Sequence, residues 1–321
     1  MFKSVSKKKL ITQFLVISIL ILTVAGIAFA QKTYITLGTG GTAGTYFPIG
    51  GGMAELVNKY VPNVEATAEV TGASSENARL LDSNEIQFAQ ANASAAYLAY
   101  HGEDIFDKKL NILVCFNMHP SFIQFVTPRD SGINSIEDFK GKRVCVGPPG
   151  GTTYVSSYDI INAAGLTEKD FEPSYLSFAE GVAAMKDGLI DVLTVSSSVP
   201  NPAIMDISTT RDVILIPVEK AVADALTESK PYYLPGKIEA GSYRGVDQDV
   251  PCIIVWNVVI CNADLDEDLV YQCTKVWYEN KDYLLKVHPI IKYMTLEVAT
   301  EVPIPMHPGA EKYFKEIGII K

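Results

Sequence analysis

Four short segments combine hydroxyl groups with glycine in the way that a site for a small anion requires. The first, Gly38-Thr39-Gly40-Gly41-Thr42-Ala43-Gly44-Thr45-Tyr46, lies between an extended apolar run and a helix opened by Pro48. At such a junction free backbone N–H groups and the positive end of a helix dipole receive an anion, and glycine lets the backbone come close. Thr42, Thr45 and Tyr46 add hydroxyl donors, and the Tyr46 ring supplies an apolar wall. The second, Thr71-Gly72-Ala73-Ser74-Ser75-Glu76-Asn77, puts Ser74 or Ser75 at a helix N-cap and Asn77 on the first turn, where an amide both donates and accepts. The third, Gly147-Pro148-Pro149-Gly150-Gly151-Thr152-Thr153-Tyr154, repeats the logic of the first in the other half of the chain. The fourth is Ser196-Ser197-Ser198 at a strand end, followed by Pro200-Asn201-Pro202.

Each segment alone has a plainer reading, since Gly-Thr runs form turns and a serine caps a helix. The first also resembles the dinucleotide fingerprint G-x-G-x-x-G, with Glu65 about twenty residues on, although Ala43 stands where the third glycine is usual. Recurrence at four equivalent strand ends favours a ligand site, because loops beyond the carboxyl ends of strands converge on one crevice in open α/β sheets.

Groups for covalent or proton-transfer chemistry do not gather beside these loops. Ser74 has no histidine near it in sequence, and no pair of carboxylates is positioned for acid–base work. We therefore expect no catalytic residues and no cofactor. His101, His119, His288 and His307 are scattered without ligand spacing, so no metal site is expected. Cys115, Cys145, Cys252, Cys261 and Cys273 form an odd, sparse set without CxxC; they read as buried small apolar residues, with one optional bridge that sequence does not assign. None of the five arginines lies inside a glycine loop, and Arg79 reads as an exposed ion-pairing residue.

The elements that must position these loops alternate between short apolar strands and amphipathic helices. Tyr34 to Gly38, Val64 to Val70 and Ile86 to Gln90 read as strands, separated by a helix with Ile49, Met53, Leu56 and Val57 at helical spacing and a shorter one through Leu80 and Leu81. An Ala-rich helix runs from Ser94 to about Tyr100, and Asn111 to Phe116 and Phe122 to Val126 read as two more strands. A second set places strands at Arg143 to Gly147, Ser174 to Ser177 and Asp191 to Val195, with helices between. Ser229 to Gly245 reads as irregular surface, Ile253 to Ile260 as a strand, and Asp266 to about Leu285 as one long helix. Repeated strand–helix units predict a mainly parallel sheet covered by helices.

The N-terminus carries Lys3, Lys7, Lys8 and Lys9 before an apolar run from Phe14 through Ile27 that closes with Ala28-Phe29-Ala30. That is the pattern of a secretory signal over residues 1–30, with a mature chain beginning near Gln31; an uncleaved anchor is the alternative. No cysteine follows the site, so a lipoprotein is not expected. Loss of those four lysines takes the net charge from −10 to −14, a poor surface for nucleic acid. The remainder is long enough for two lobes. We expect the chain to cross between them and return, giving one lobe from 31–127 with 251–321 and a second from 128–250.

The strings GTGGTAGTYFPIGGGMAELVN, TGASSENARLLDSNEIQFAQAN and INSIEDFKGKRVCVGPPGGTTY are similar in order and spacing to TAXI-type solute-binding proteins of TRAP transporters. The resemblance extends over the whole mature chain. It implies an α/β, two-lobed type II periplasmic-binding-protein fold with an interlobe ligand cleft. It also implies a periplasmic protein that hands a small organic anion or amino acid to TRAP membrane subunits. Carried over by position, the ligand shell draws on Thr42, Gly44, Thr45, Tyr46, Ser74, Asn77, Gln90, Gly150, Gly151, Thr152 and Thr153, and Ser196 joins from the fourth cluster. Pro148, Gly151 and Thr152 depart from the more usual residues of their loop, and Phe178 falls near the cleft. The expected protein is a monomer that binds without chemistry. A sensory ligand-binding module for a membrane receptor is the alternative, and an exported enzyme is the less favoured one.

Overall fold

The structure, a computed structural model, describes residues 32–42, 44–149 and 151–321. The expected signal segment and Gly150 lie outside the described residues. Among the described residues no helix is long and apolar enough to cross a membrane.

Strand β1 (Thr33–Gly38) pairs in parallel with β2 (Val64–Glu69) on one side and β3 (Phe88–Asn92) on the other. Helix α1 (Tyr46–Tyr60) connects β1 to β2, and it buries Ile49, Met53, Leu56 and Val57 in the stripe that their spacing predicts. Helix α2 (Ser74–Asp82) connects β2 to β3, and α3 (Ala93–His101) follows. Next comes β4 (Ile112–Pro128), a single strand of 17 residues where the sequence predicts two. Pro120 suggests a break, but it pairs with Trp256 next to a register shift at Asn257/Val258, and an irregular point of a ladder tolerates a missing N–H.

The second half repeats the plan of the first. It comprises β5 (Arg143–Cys145), α4 (Thr152–Ala163), β6 (Glu172–Ser174), α5 (Phe178–Lys186) and β7 (Val192–Ser197). Three elements that the sequence leaves unassigned follow: α6 (Pro202–Thr210), β8 (Val213–Ile216) and α7 (Lys220–Ser229). Strand β9 (Tyr233–Ile238) lies inside the stretch expected to be irregular, and pairs antiparallel with the start of β10 (Val250–Asn262). Pro235 and Gly236 hide it from a propensity reading; on a strand with one partner, a proline costs little.

The resulting sheet runs β2-β1-β3-β10-β4-β7-β5-β6, with β9 added to β10 and β8 to β4. It is mixed rather than mainly parallel. Each half holds a parallel trio, β2-β1-β3 or β6-β5-β7, and the long antiparallel pair β10-β4 stands between them. Early in its course β4 lies against the end of β10, and from Phe122 onward it lies against β7 and β8. One pair of strands thus carries the chain out of the first trio and back.

After β10 the expected single helix breaks at Asn280 (φ −111°, ψ 26°), giving α8 (Glu267–Glu279) and α9 (Lys281–Val287). The last helix is α10 (Pro308–Glu316). These helices cover the first trio. Trp277 of α8 is fully buried, donates from Nε1 to the Met53 carbonyl at 3.0 Å, and meets Phe88 edge to face at 5.3 Å. All five cysteines are buried and free.

Candidate functional site

The carboxyl ends of β1, β2, β3, β5 and β7 are held in place by side-chain hydrogen bonds. Asn77 is the main contributor. Its Nδ2 donates to the Thr39 and Gln90 carbonyls, each at 2.8 Å, while its Oδ1 accepts from Thr71 Oγ1 at 2.6 Å. Three strand-end segments are tied together by one amide that is 0% exposed. Gln90 sits behind α1 and donates from Nε2 to the Tyr46 carbonyl at 2.8 Å. Ser74 is the first residue of α2 and not its cap. The cap position is Ala73 at φ +68°, and Ser74 Oγ accepts from the Asn92 N–H at 2.9 Å. In the second half Tyr243 accepts from the Asn201 N–H at 2.8 Å and donates to Gln124 at 2.7 Å, which fixes the loop after β7.

Between these loops lies a cavity of about 210 Å³. The first half contributes Gly40, Gly41, Gly44, Thr45, Tyr46, Ala73 and Ser74, and the second Thr152, Thr153, Phe178, Ser196, Ser197 and Ser198. His119 and Ser121 of β4 and Asn257 of β10 complete the lining. A wider space of about 450 Å³ adjoins it through Gly44, Thr45, Phe178, Ser197 and Ser198, and adds Thr42, His288 and Lys292.

Seven of the twelve sequence-predicted residues are therefore brought together in the inner cavity: Gly44, Thr45, Tyr46, Ser74, Thr152, Thr153 and Ser196. Thr42 lies in the outer space. Asn77 and Gln90 do not line either; they brace the loops from behind. Gly151 is the N-cap of α4 and does not line the cavity, and Gly150 lies outside the described residues. Arg79, expected to form an ion pair, instead donates to the Ser75 and Ile105 carbonyls and covers the Phe106 ring at 4.6 Å.

Sequence reasoning missed His119, Ser121 and Asn257. Asn257 is the centre of this group. Its Oδ1 accepts from the Tyr46 hydroxyl at 2.5 Å, and its Nδ2 donates to Ser121 Oγ at 2.8 Å and the His119 carbonyl at 3.0 Å. A sequence signal existed: His119 and Ser121 alternate within an apolar strand, so they share one face. Burial lowers the His119 pKa to about 4, which keeps the ring neutral, and raises that of Tyr46, which keeps its phenol protonated.

Among the described residues no Asp, Glu, Lys or Arg lines the inner cavity. The electrostatics come instead from helix starts. The cap positions of α1 (Thr45), α2 (Ala73) and α4 (Gly151) make no side-chain hydrogen bond to their helices, whereas α3, α5 and α6 are capped by Asn92, Ser177 and Asn201. Residues at the starts of α1, α2 and α4 line the cavity; α7 and α9 also lack a side-chain cap but start away from it. The first-turn N–H groups and dipoles of α1, α2 and α4 favour negative charge there.

The mixed sheet with two parallel trios, and a cavity between their strand ends, define the fold of periplasmic solute-binding proteins. Solved structures of that class agree. The periplasmic aliphatic sulphonate binding protein SsuA of Escherichia coli matches with a TM-score of 0.51 and 13% identity, over 88% of this chain and 83% of that one. A structure from the work on glutathione import through GshT and the cystine importer TcyBC of Streptococcus mutans gives 0.52 and 18%, over 87% and 100%. A binding protein component of an ABC phosphonate transporter of Pseudomonas aeruginosa gives 0.51 and 13%, over 82% and 80%. The chain itself belongs to the NMT1-like family, whose sequence profile matches residues 37–318.

Proposed function

We propose that this protein is an extracytoplasmic substrate-binding protein that captures a small organic anion in the inner cavity and delivers it to the membrane subunits of a TRAP transporter. The observation that carries the reading is the meeting of three uncapped helix starts at an uncharged, hydroxyl-rich cavity. Such a site binds an anion through backbone amides and neutral donors, without a fixed counter-charge. Residues 31–127 with 251–321 form one lobe in this proposal and 128–250 the other, closing over the ligand as a monomer. Thr45, Tyr46 and Ser74 contact it from the first lobe and Thr152, Thr153 and Ser196 from the second. The TRAP assignment rests on the sequence resemblance to TAXI-type proteins. The periplasmic destination rests on the signal-like segment before Gln31.

The one histidine in the inner cavity is buried and neutral, and no carboxylate stands beside it. Binding without turnover fits this chemistry.

The test is a thermal-shift panel of hydroxy acids, oxo acids, dicarboxylates, amino acids, sulfonates and phosphonates. A specific ligand at a hundred times its Kd adds about 2.7 kcal/mol of stability by mass action. We expect one anionic class to raise the melting temperature. A panel in which no anion does so would contradict the reading. Adjacent genes for fused transporter subunits would favour the TRAP assignment, and a histidine kinase gene the sensory alternative.

A further inference from the structure

His119 stands where β4 passes from one half of the sheet to the other, on the lining of the inner cavity and only 2% exposed. Its Nε2 is buried and has no hydrogen-bond partner. A buried polar atom left alone costs free energy that a bound partner removes.

The neighbours decide what kind of partner Nε2 needs. Its sister Nδ1 lies 3.3 Å from the Pro120 carbonyl oxygen, which only accepts, and 3.2 Å from Asn257 Nδ2. The Tyr46 hydroxyl donates to Asn257 Oδ1, which fixes the amide's orientation. The two amide hydrogens have nearer acceptors, Ser121 Oγ at 2.8 Å and the His119 carbonyl at 3.0 Å. The imidazole hydrogen therefore sits on Nδ1, directed at Pro120, and Nε2 keeps a lone pair. The ring is neutral for the reason given above, so the lone pair persists at ordinary pH.

We propose that His119 Nε2 accepts a hydrogen bond from a hydroxyl of the ligand, and that the site accordingly takes a small hydroxy acid. The acid group lies at the uncapped starts of α1, α2 and α4, and its hydroxyl reaches His119. The inference rests on the small-anion reading of the cavity. The size of the inner cavity, about 210 Å³, keeps the two groups close together on the ligand. An oxo acid would set a carbonyl lone pair against that of Nε2. An amino acid would donate, but its ammonium would enter a space with no carboxylate and three positive helix ends.

Calorimetry on the mature chain tests this with acids that differ only at the 2-position. Lactate, pyruvate, alanine and propionate form one series; 2-hydroxyglutarate, 2-oxoglutarate, glutamate and glutarate form the other. On one skeleton the hydroxy acid is expected to bind roughly tenfold tighter, or more, than each counterpart. That preference should vanish in His119→Phe and survive in part in His119→Gln, which retains an acceptor. An oxo or amino acid that matches the hydroxy acid on both skeletons would overturn the proposal. So would a preference that persists in His119→Phe with a native melting curve. If all eight acids fail to bind at millimolar concentration, the hydroxy-acid proposal falls, and the sulfonates and phosphonates of the thermal-shift panel decide whether the small-anion reading falls with it. Should both variants melt far below the native protein, the selectivity of the native protein alone decides.

Discussion

His119 couples the site to folding through its charge. The ordinary histidine pKa is 6.5, and burial holds this one at about 4. Below pH 6.5 the unfolded chain takes up a proton that the folded chain refuses, so stability present above that pH is lost as it falls toward 4. The loss approaches about 1.4 kcal/mol per pH unit, or ~3 kcal/mol in all. Urea unfolding at pH 7 and pH 4.5 should show this decline in the native chain and a clearly smaller one in His119→Gln. Equal declines would mean that the ring is not held neutral. The hydroxyl loops were legible in the sequence because their chemistry is local, with Thr45, Tyr46 and Ser74 lying within or beside glycine-bearing turns. His119 was not, because its role depends on Asn257, 138 residues away. Asn77 misled for the opposite reason. Its place on a first helical turn suits a ligand contact, but its amide meets Thr39, Thr71 and Gln90, which only the folded sheet brings near.

At the scale of elements, Ile86 before β3 and Asn77 of α2 close on the end of β1 so tightly that Gly38 has no room for a side chain. A Cβ there would lie 2.5 Å from Ile86 Cδ1 and 2.7 Å from Asn77 Oδ1. Gly38→Ala should therefore cost about 1–3 kcal/mol, through displacement of Asn77 and the strand ends it holds. A lowered denaturation midpoint checks it; an unchanged midpoint would show that the contact yields freely. The strand–helix alternation of both halves could be read from periodicity, since α1 and the parallel strands follow it closely. Strand β9 could not, because Pro235 and Gly236 argue against a strand until β10 is known to lie beside it. The continuity of β4 through Pro120 was hidden for the same reason. Strand pairing overrides local propensity. In the second half, Arg143 ties β5 to the entry of β7 through paired contacts to Asp191 at 2.5 and 3.0 Å. That pair is partly exposed, so solvent screens it and it orients the strand end more than it stabilises the fold.

For the whole molecule, two parallel trios with their carboxyl ends facing one cavity, joined by β4 and β10, make a frame in which neither half holds the complete site. Thr45 reaches the cavity from the first half and Thr152 from the second, both at uncapped helix starts, while Asn77 stands behind the wall. Calorimetric titration of the tightest-binding acid into Thr45→Ala, Thr152→Ala and Asn77→Ala, beside melting curves of the ligand-free variants, tests the account most directly. Each threonine variant is predicted to lose roughly ten- to a hundredfold in affinity, the effect of removing a hydrogen bond to a charged ligand, with melting close to native. Asn77→Ala is predicted to melt markedly lower. If both threonine variants bind like the native protein, the anion is not held between the two halves and the central claim is wrong.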